Sequence, residues 1–137
     1  MKPVLTHIAL HVRDIDASIA FYRAFCGLRM VHERGGPGER VAWLAADGRE
    51  QSFVLVLLAG GPRAAQPADE FSLLGFALEN RAAVDEMARR GAAHLVWPPK
   101  ELPYPVGYFC GLEDPDGNVI EFSHGQPLGP GANERLS

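Results

Sequence analysis

The chain has 137 residues, 47% hydrophobic and 22% charged, a composition that suits one globular domain, or two half-domains sharing a core, and excludes wholesale disorder. Thirteen Lys and Arg against 17 Asp and Glu leave a formal net charge of −4, which gives no electrostatic case for nucleic acid or an anionic membrane surface and points to a small molecule or another protein as partner. The longest apolar run, Phe53 to Ala59, falls far short of the roughly 20 residues of a membrane helix. The N-terminal residues lack the apolar stretch and small-residue cleavage site of a signal peptide, so a cytoplasmic protein is expected. Cys26 and Cys110 fit neither a disulfide framework nor a four-cysteine zinc site and read as reduced, structural residues.

In chain order, the segment from His7, HIALHVRDIDASIAFYRAFCGLRMV, alternates apolar residues, passes Asp14, carries a stripe at Ile15, Ile19, Tyr22 and Cys26, and stops at Gly27. That spacing predicts a strand, a capped helix and a second strand. The runs VAWLAA and SFVLVLL follow as strands, with Asp47-Gly48 between them. Asp-Gly between extended runs signals a hairpin, because a type I′ turn needs the positive φ that Gly adopts without strain. The segment from Leu73, LLGFALENRAAVDEMARRGAAHLVW, repeats this grammar, with a cap at Asn80, a stripe at Val84, Met87 and Ala88, and a stop at Gly91. The runs YFCGLE and NVIEFS then flank Asp116-Gly117. The 15 Gly and 11 Pro concentrate in three predicted loops, at 35 to 39, 60 to 67 and 98 to 105. A duplicated βαβββ unit is therefore expected, with modules over about 4–60 and 70–124 in a single domain 1–124, and an irregular tail over 125–137.

The two βαβββ units, the Phe21-Tyr22 pair in the first helix, the Cys26-Gly27-Leu28 after it and the EDPDGNVIEF run near the end resemble the vicinal oxygen chelate superfamily over residues 4 to 124. This group comprises glyoxalase, bleomycin-resistance and dioxygenase-like proteins. The resemblance implies an α+β fold of two modules forming curved, cup-like mixed sheets, paired in a homodimer. It also implies a divalent metal in the cup, held by the first and last strands of the modules. His7 matches the usual first-strand histidine and Glu121 the usual last-strand carboxylate. Imidazole plus carboxylate suits Fe, Mn, Zn, Ni or Co.

The departures carry equal weight. Where a metal-binding relative has another histidine, the second module begins Leu73-Leu74-Gly75, and the fourth-strand glutamate of the glyoxalase I pattern falls at Val56, within one residue of register. A metal held by His7 and Glu121 alone would be weak and wet. His7 otherwise reads as a hydrogen-bonded pocket histidine. Glu121, between Ile120 and Phe122, either points inward, where it needs a partner, or outward on a half-exposed strand. His11 lies on the same strand face as His7 but roughly 13 Å along it, too far to share a metal. It is either a pocket acid, base or donor, or a strand-end residue meeting solvent. His124 has the opposite parity to Glu121 and stays outside the site.

Trp43, Phe53, Tyr108 and Phe109 place aromatic groups on the strands expected to line the cups. Core packing is the ordinary role for such rings. With Val56 and Leu73 at ligand positions beside Trp43 and Phe109, the cups would offer an apolar, stacking pocket. Cys110 has no neighbouring cation to activate it, and Asp114, Asp116 and Gly117 are turn residues. Two functions follow. One is a metal-free protein that binds an apolar or aromatic small molecule. The other is a metal-dependent lyase, epimerase or dioxygenase in which His7 and Glu121 hold the ion and His11 or Glu121 moves a proton.

Overall fold

The structure is a computed structural model that describes residues 1–61, 64–129 and 132. The chain divides into two compact units, Met1–Ala65 and Gln66–Ser137. The first contains β1 (His7–Val12), α1 (Ile15–Cys26), β2 (Leu28–Arg34), β3 (Val41–Ala46) and β4 (Val54–Ala59). The second contains β5 (Leu73–Ala77), α2 (Arg81–Arg90), a 3-10 turn (Ala92–His94), β6 (Leu95–Leu102), β7 (Gly107–Glu113) and β8 (Val119–His124). This is the expected α+β pattern of two βαβββ modules. No helix among the described residues is long and apolar enough to cross a membrane.

Local chemistry fixes both helices. Asp14 is extended and its carboxylate accepts from Ala17 N at 3.1 Å, while Gly27 closes α1 at φ 65°, the left-handed conformation that a side chain would strain. Asn80 caps α2 in the same way, accepting from Ala83 N at 2.8 Å. Gly91 ends α2 for a different reason. Its φ is −93°, but a Cβ there would stand 2.5 Å from Leu112 Cδ1, so the site demands space and not left-handed backbone.

Each unit forms one mixed four-stranded sheet, ordered β1-β4-β3-β2 in the first and β5-β8-β7-β6 in the second. The first strand of each module runs parallel to the last, and the other pairings are antiparallel. One face of each sheet carries the helix. In the first unit Tyr22 of α1 is buried, as are Val12, Leu44 and Leu57 on the covered face. In the second unit Val84 of α2 is buried, with Cys110, Leu112, Ile120 and Phe122. Each large side chain buried in this way contributes roughly 1.5–3 kcal/mol relative to exposure. Because side chains alternate across a strand, the opposite face of each sheet is assembled from the intervening residues.

Two local expectations are corrected. The Asp-Gly pairs do not form two-residue turns: the links between β3 and β4 and between β7 and β8 span 47–53 and 114–118. A type I′ turn needs positive φ at both central residues, whereas Gly48 and Gly117 have it and no non-glycine residue among the described ones does. In the second link the buried Asp114 carboxylate organises the loop, accepting from Asp116 N at 2.9 Å, Asn118 N at 2.9 Å and Asn118 Nδ2 at 2.8 Å. The segment predicted as a loop from 98 begins as strand, since β6 continues through Pro98 and Pro99 to Leu102. Its edge position in the sheet spares the prolines a ladder donor, and the register shift between Trp97 and Lys100 absorbs them. Residues 125–129 of the expected irregular tail carry no helix or strand, and of the remainder only 132 is described. Pro62 and Arg63 of the second predicted loop lie outside the described residues.

Candidate functional site

Register places the candidate residues on the helix-free faces. In the first unit Ala9 pairs with Val56, Val56 with Trp43, and Trp43 with His32. His7 and Val54 form the next row toward the strand start, and His11 and Leu58 the row beyond. His7, Trp43 and Val56 line one cavity of about 190 Å³ together with Phe53, which lies just before β4. The imidazole Nδ1 of His7 is 2.9 Å from Thr6 Oγ1, leaving Nε2 as its other ring nitrogen. His11 stands apart from this cavity. Its ring is packed against the backbone of Gly61, where a Cβ would come within 1.7 Å of Nδ1.

Trp43 remains 37% exposed although its strand neighbours Ala42 and Leu44 are buried. The edge of His32 meets its ring at 5.0 Å, and the Arg34 guanidinium lies 5.8 Å from the ring centroid. Neither His32 nor Arg34 stood out in the sequence. Unbroken alternation from Leu28 and Met30 would have placed them on the helix-covered face, and the register shift between Met30 and His32 brings them to this one.

In the second unit the corresponding row is Gly75, Glu121, Gly111 and Trp97. His7 pairs with Val54 as Leu73 pairs with Val119. Val56 and Glu121, each two residues further on, are therefore counterparts, as are His7 and Leu73. Glu121 is only 8% exposed. Gln126 Nε2 donates to its Oε1 at 3.2 Å, while burial raises its pKa above the ordinary carboxylate value and the Gln126 bond partly opposes that shift. Trp97 meets Phe109 edge to face at 6.2 Å and Phe71 at 6.5 Å. Leu73, Glu121 and Phe109 thus share one sheet face. Lys100, also on it, pairs with Phe109 and not with Glu121.

Tyr108 does not join them. It pairs with His124, on the parity of the helix-covered side, where its hydroxyl donates to Asp85 at 2.5 Å and Arg81 stacks on its ring. His124 bonds the Leu78 carbonyl from that side. Cys110 is fully buried and its thiol is pushed up to about 11, chiefly by burial, so it is no nucleophile near neutral pH. Sequence reasoning passed over Gly75, Gly111, Trp97, Phe71 and Gln126. The strand partners of Glu121 would have revealed the first three, but pairing becomes visible only once register is fixed.

The residues present do not fit a resident metal in the manner of a closed site. Of the four strand positions compared above, His7 and Glu121 carry donors, while Leu73 and Val56 carry none. Among the described residues no group of three His, Cys, Asp or Glu side chains converges to hold an ion. A divalent cation held by two protein donors would depend on water or substrate for the rest of its shell.

Comparison with known proteins agrees with this architecture. The uncharacterized protein PA2024 of Pseudomonas aeruginosa is 56% identical over 134 residues, covering 96% of each chain. A mutant of the fosfomycin resistance protein FosX from Listeria monocytogenes, solved with Mn(II) and 1S,2S-dihydroxypropylphosphonic acid, has a TM-score of 0.71 at 19% identity. The match covers 93% of this chain and 94% of that one. TnmS3, an antibiotic binding protein from a Streptomyces species, has a TM-score of 0.66 at 22% identity, covering 90% and 96%. At these identities the two structures show a shared fold. The sequence model of the Glyoxalase/Bleomycin resistance protein/Dioxygenase superfamily matches residues 4–122, and the chain belongs to that superfamily.

Proposed function

We propose that the protein binds an apolar or aromatic small molecule on the helix-free faces of its sheets, without a resident metal. One observation carries this reading: Val56 and Leu73 occupy ligand positions, while Trp43, Trp97 and Phe109 keep ring surface on the same faces. An apolar wall with a few placed polar groups is the usual make-up of a small-molecule site. TnmS3, of the same fold, is described as an antibiotic binding protein. Thermal unfolding of chelator-treated protein against a panel of planar aromatic compounds tests the reading. A rise in Tm that persists with chelator is expected, since a ligand of the folded state stabilises by mass action. No shift with any compound, or one that requires added metal, contradicts it.

A second reading is favoured by the buried Glu121 carboxylate and by the Mn(II) in the FosX complex. Here His7 and Glu121 hold a divalent ion, Fe, Mn, Zn, Ni or Co, which supplies Lewis-acid chemistry for a lyase, epimerase or dioxygenase reaction. His11 or Glu121 would then act as general acid or base. The packing of the His11 ring against Gly61 argues against that role for His11.

A further inference from the structure

We propose that Glu121 selects the ligand by accepting a hydrogen bond from a cationic or N–H donor group, so that the preferred ligand is a planar aromatic amine or amidine. The proposal rests on the binding reading above and names its ligand class. A carboxylate that is 8% exposed loses much of its hydration and calls for a partner. The protein supplies one for Oε1, the Gln126 amide, and none for Oε2 among the described residues. Yet Oε2 is not among the sealed, unpartnered side-chain atoms of the described residues, so it stays open to an incoming donor.

The neighbours of Glu121 leave room for that donor. Both of its strand partners are glycines, Gly75 and Gly111, and neither has positive φ. The backbone does not require glycine at either place; what glycine provides there is space. At Gly111 Trp97 fills it, its Cε3 atom 2.8 Å from where a Cβ would stand. At Gly75 a Cβ would fit without a clash, in ordinary contact with Glu121 Oε2 and Leu73 Cδ1, each 3.7 Å from its position. Oε2 therefore borders the room left at Gly75 on the β5 side, while Trp97 and Phe109 stand on the same sheet face on the β6 and β7 side. A cationic donor at Oε2 gains a charge-assisted hydrogen bond, while the aromatic part of the ligand finds ring surface on the same sheet face. A carboxylate-bearing or phosphate-bearing ligand meets like charge.

Calorimetric titration of chelator-treated protein near pH 7.5 with 2-naphthylmethylamine and the matching alcohol, 2-naphthylmethanol, tests this. The amine is expected to bind at least about tenfold more tightly, the order of a hydrogen bond to a charged group. In Glu121→Gln the preference of the amine over the alcohol should vanish. Gly75→Val, which fills that room, should weaken the amine more than the alcohol. Equal binding of both probes by the wild type overturns the proposal and leaves the binding reading standing. Failure of both probes to bind removes the two together, and an amine preference that survives Glu121→Gln assigns the recognition to another group.

Discussion

Glu121 stands in a row where its counterpart in the first unit is Val56, and the difference has a thermodynamic signature. Burial raises its pKa in the folded chain, so the folded state keeps a proton that the unfolded state, with an ordinary value near 4.3, has already lost. Stability then falls as pH rises from that ordinary value through the folded one, and the penalty is absent below both. Denaturant unfolding with chelator present should show Glu121→Gln more stable than wild type at pH 7.5, with the gain disappearing below about pH 4. A variant equally or less stable at pH 7.5 contradicts the assignment of burial as the dominant cause. At this scale the sequence was partly legible. The DPDGNVIEF run pointed to Glu121, and the opening HIALHV to His7. The glycines beside Glu121 and the ring of Trp97 act through cross-strand pairs, whose members lie 10 or more residues apart along the chain.

Helices were legible because their determinants are local. Asp14 and Gly27 bracket α1, and Asn80 and Gly91 bracket α2, while Val84, Met87 and Ala88 form the buried stripe as the periodicity predicts. Ser18, an unremarked polar residue, is also fully buried on α1. Links between strands were less legible, because Asp-Gly fixes where the chain turns but not how many residues turn it. Asp114, three residues before Gly117, sets the 114–118 loop by holding two backbone amides and the Asn118 side chain. Asp114→Ala strands the two backbone amides and should cost about 3 kcal/mol, measured by urea unfolding. A loss below about 0.5 kcal/mol would show that the loop holds its shape without the carboxylate. The continuation of β6 beyond Trp97 escaped detection because Pro-Pro reads as a break, a rule that an edge strand with a shifted register evades.

For the molecule as a whole, the duplicated grammar that begins at His7 and again at Leu73 was the most legible feature, and the matching strand orders of the two sheets bear it out. β1 and β5 each lie at a sheet edge, with Ile8 and Leu73 exposed on them at 36% and 41%. Val4 and Leu5 before β1 are also exposed. Exposed apolar residues on a sheet edge invite pairing with another chain, and we expect a homodimer that covers them. Light scattering should give twice the chain mass of 14.9 kDa, and Ile8→Lys should shift the population toward the single chain. A wild-type mass of one chain contradicts this.

Whether the sheet faces bind their ligand without a resident ion is decided most directly by metal content. Tag-free protein purified without chelators, compared with His7→Ala and Glu121→Ala by inductively coupled plasma mass spectrometry, is expected to hold far less than one divalent ion per chain, with no difference among the three. Near-stoichiometric metal in the wild type, lost in both variants, would contradict the account and establish the two residues as ligands of a working metal centre.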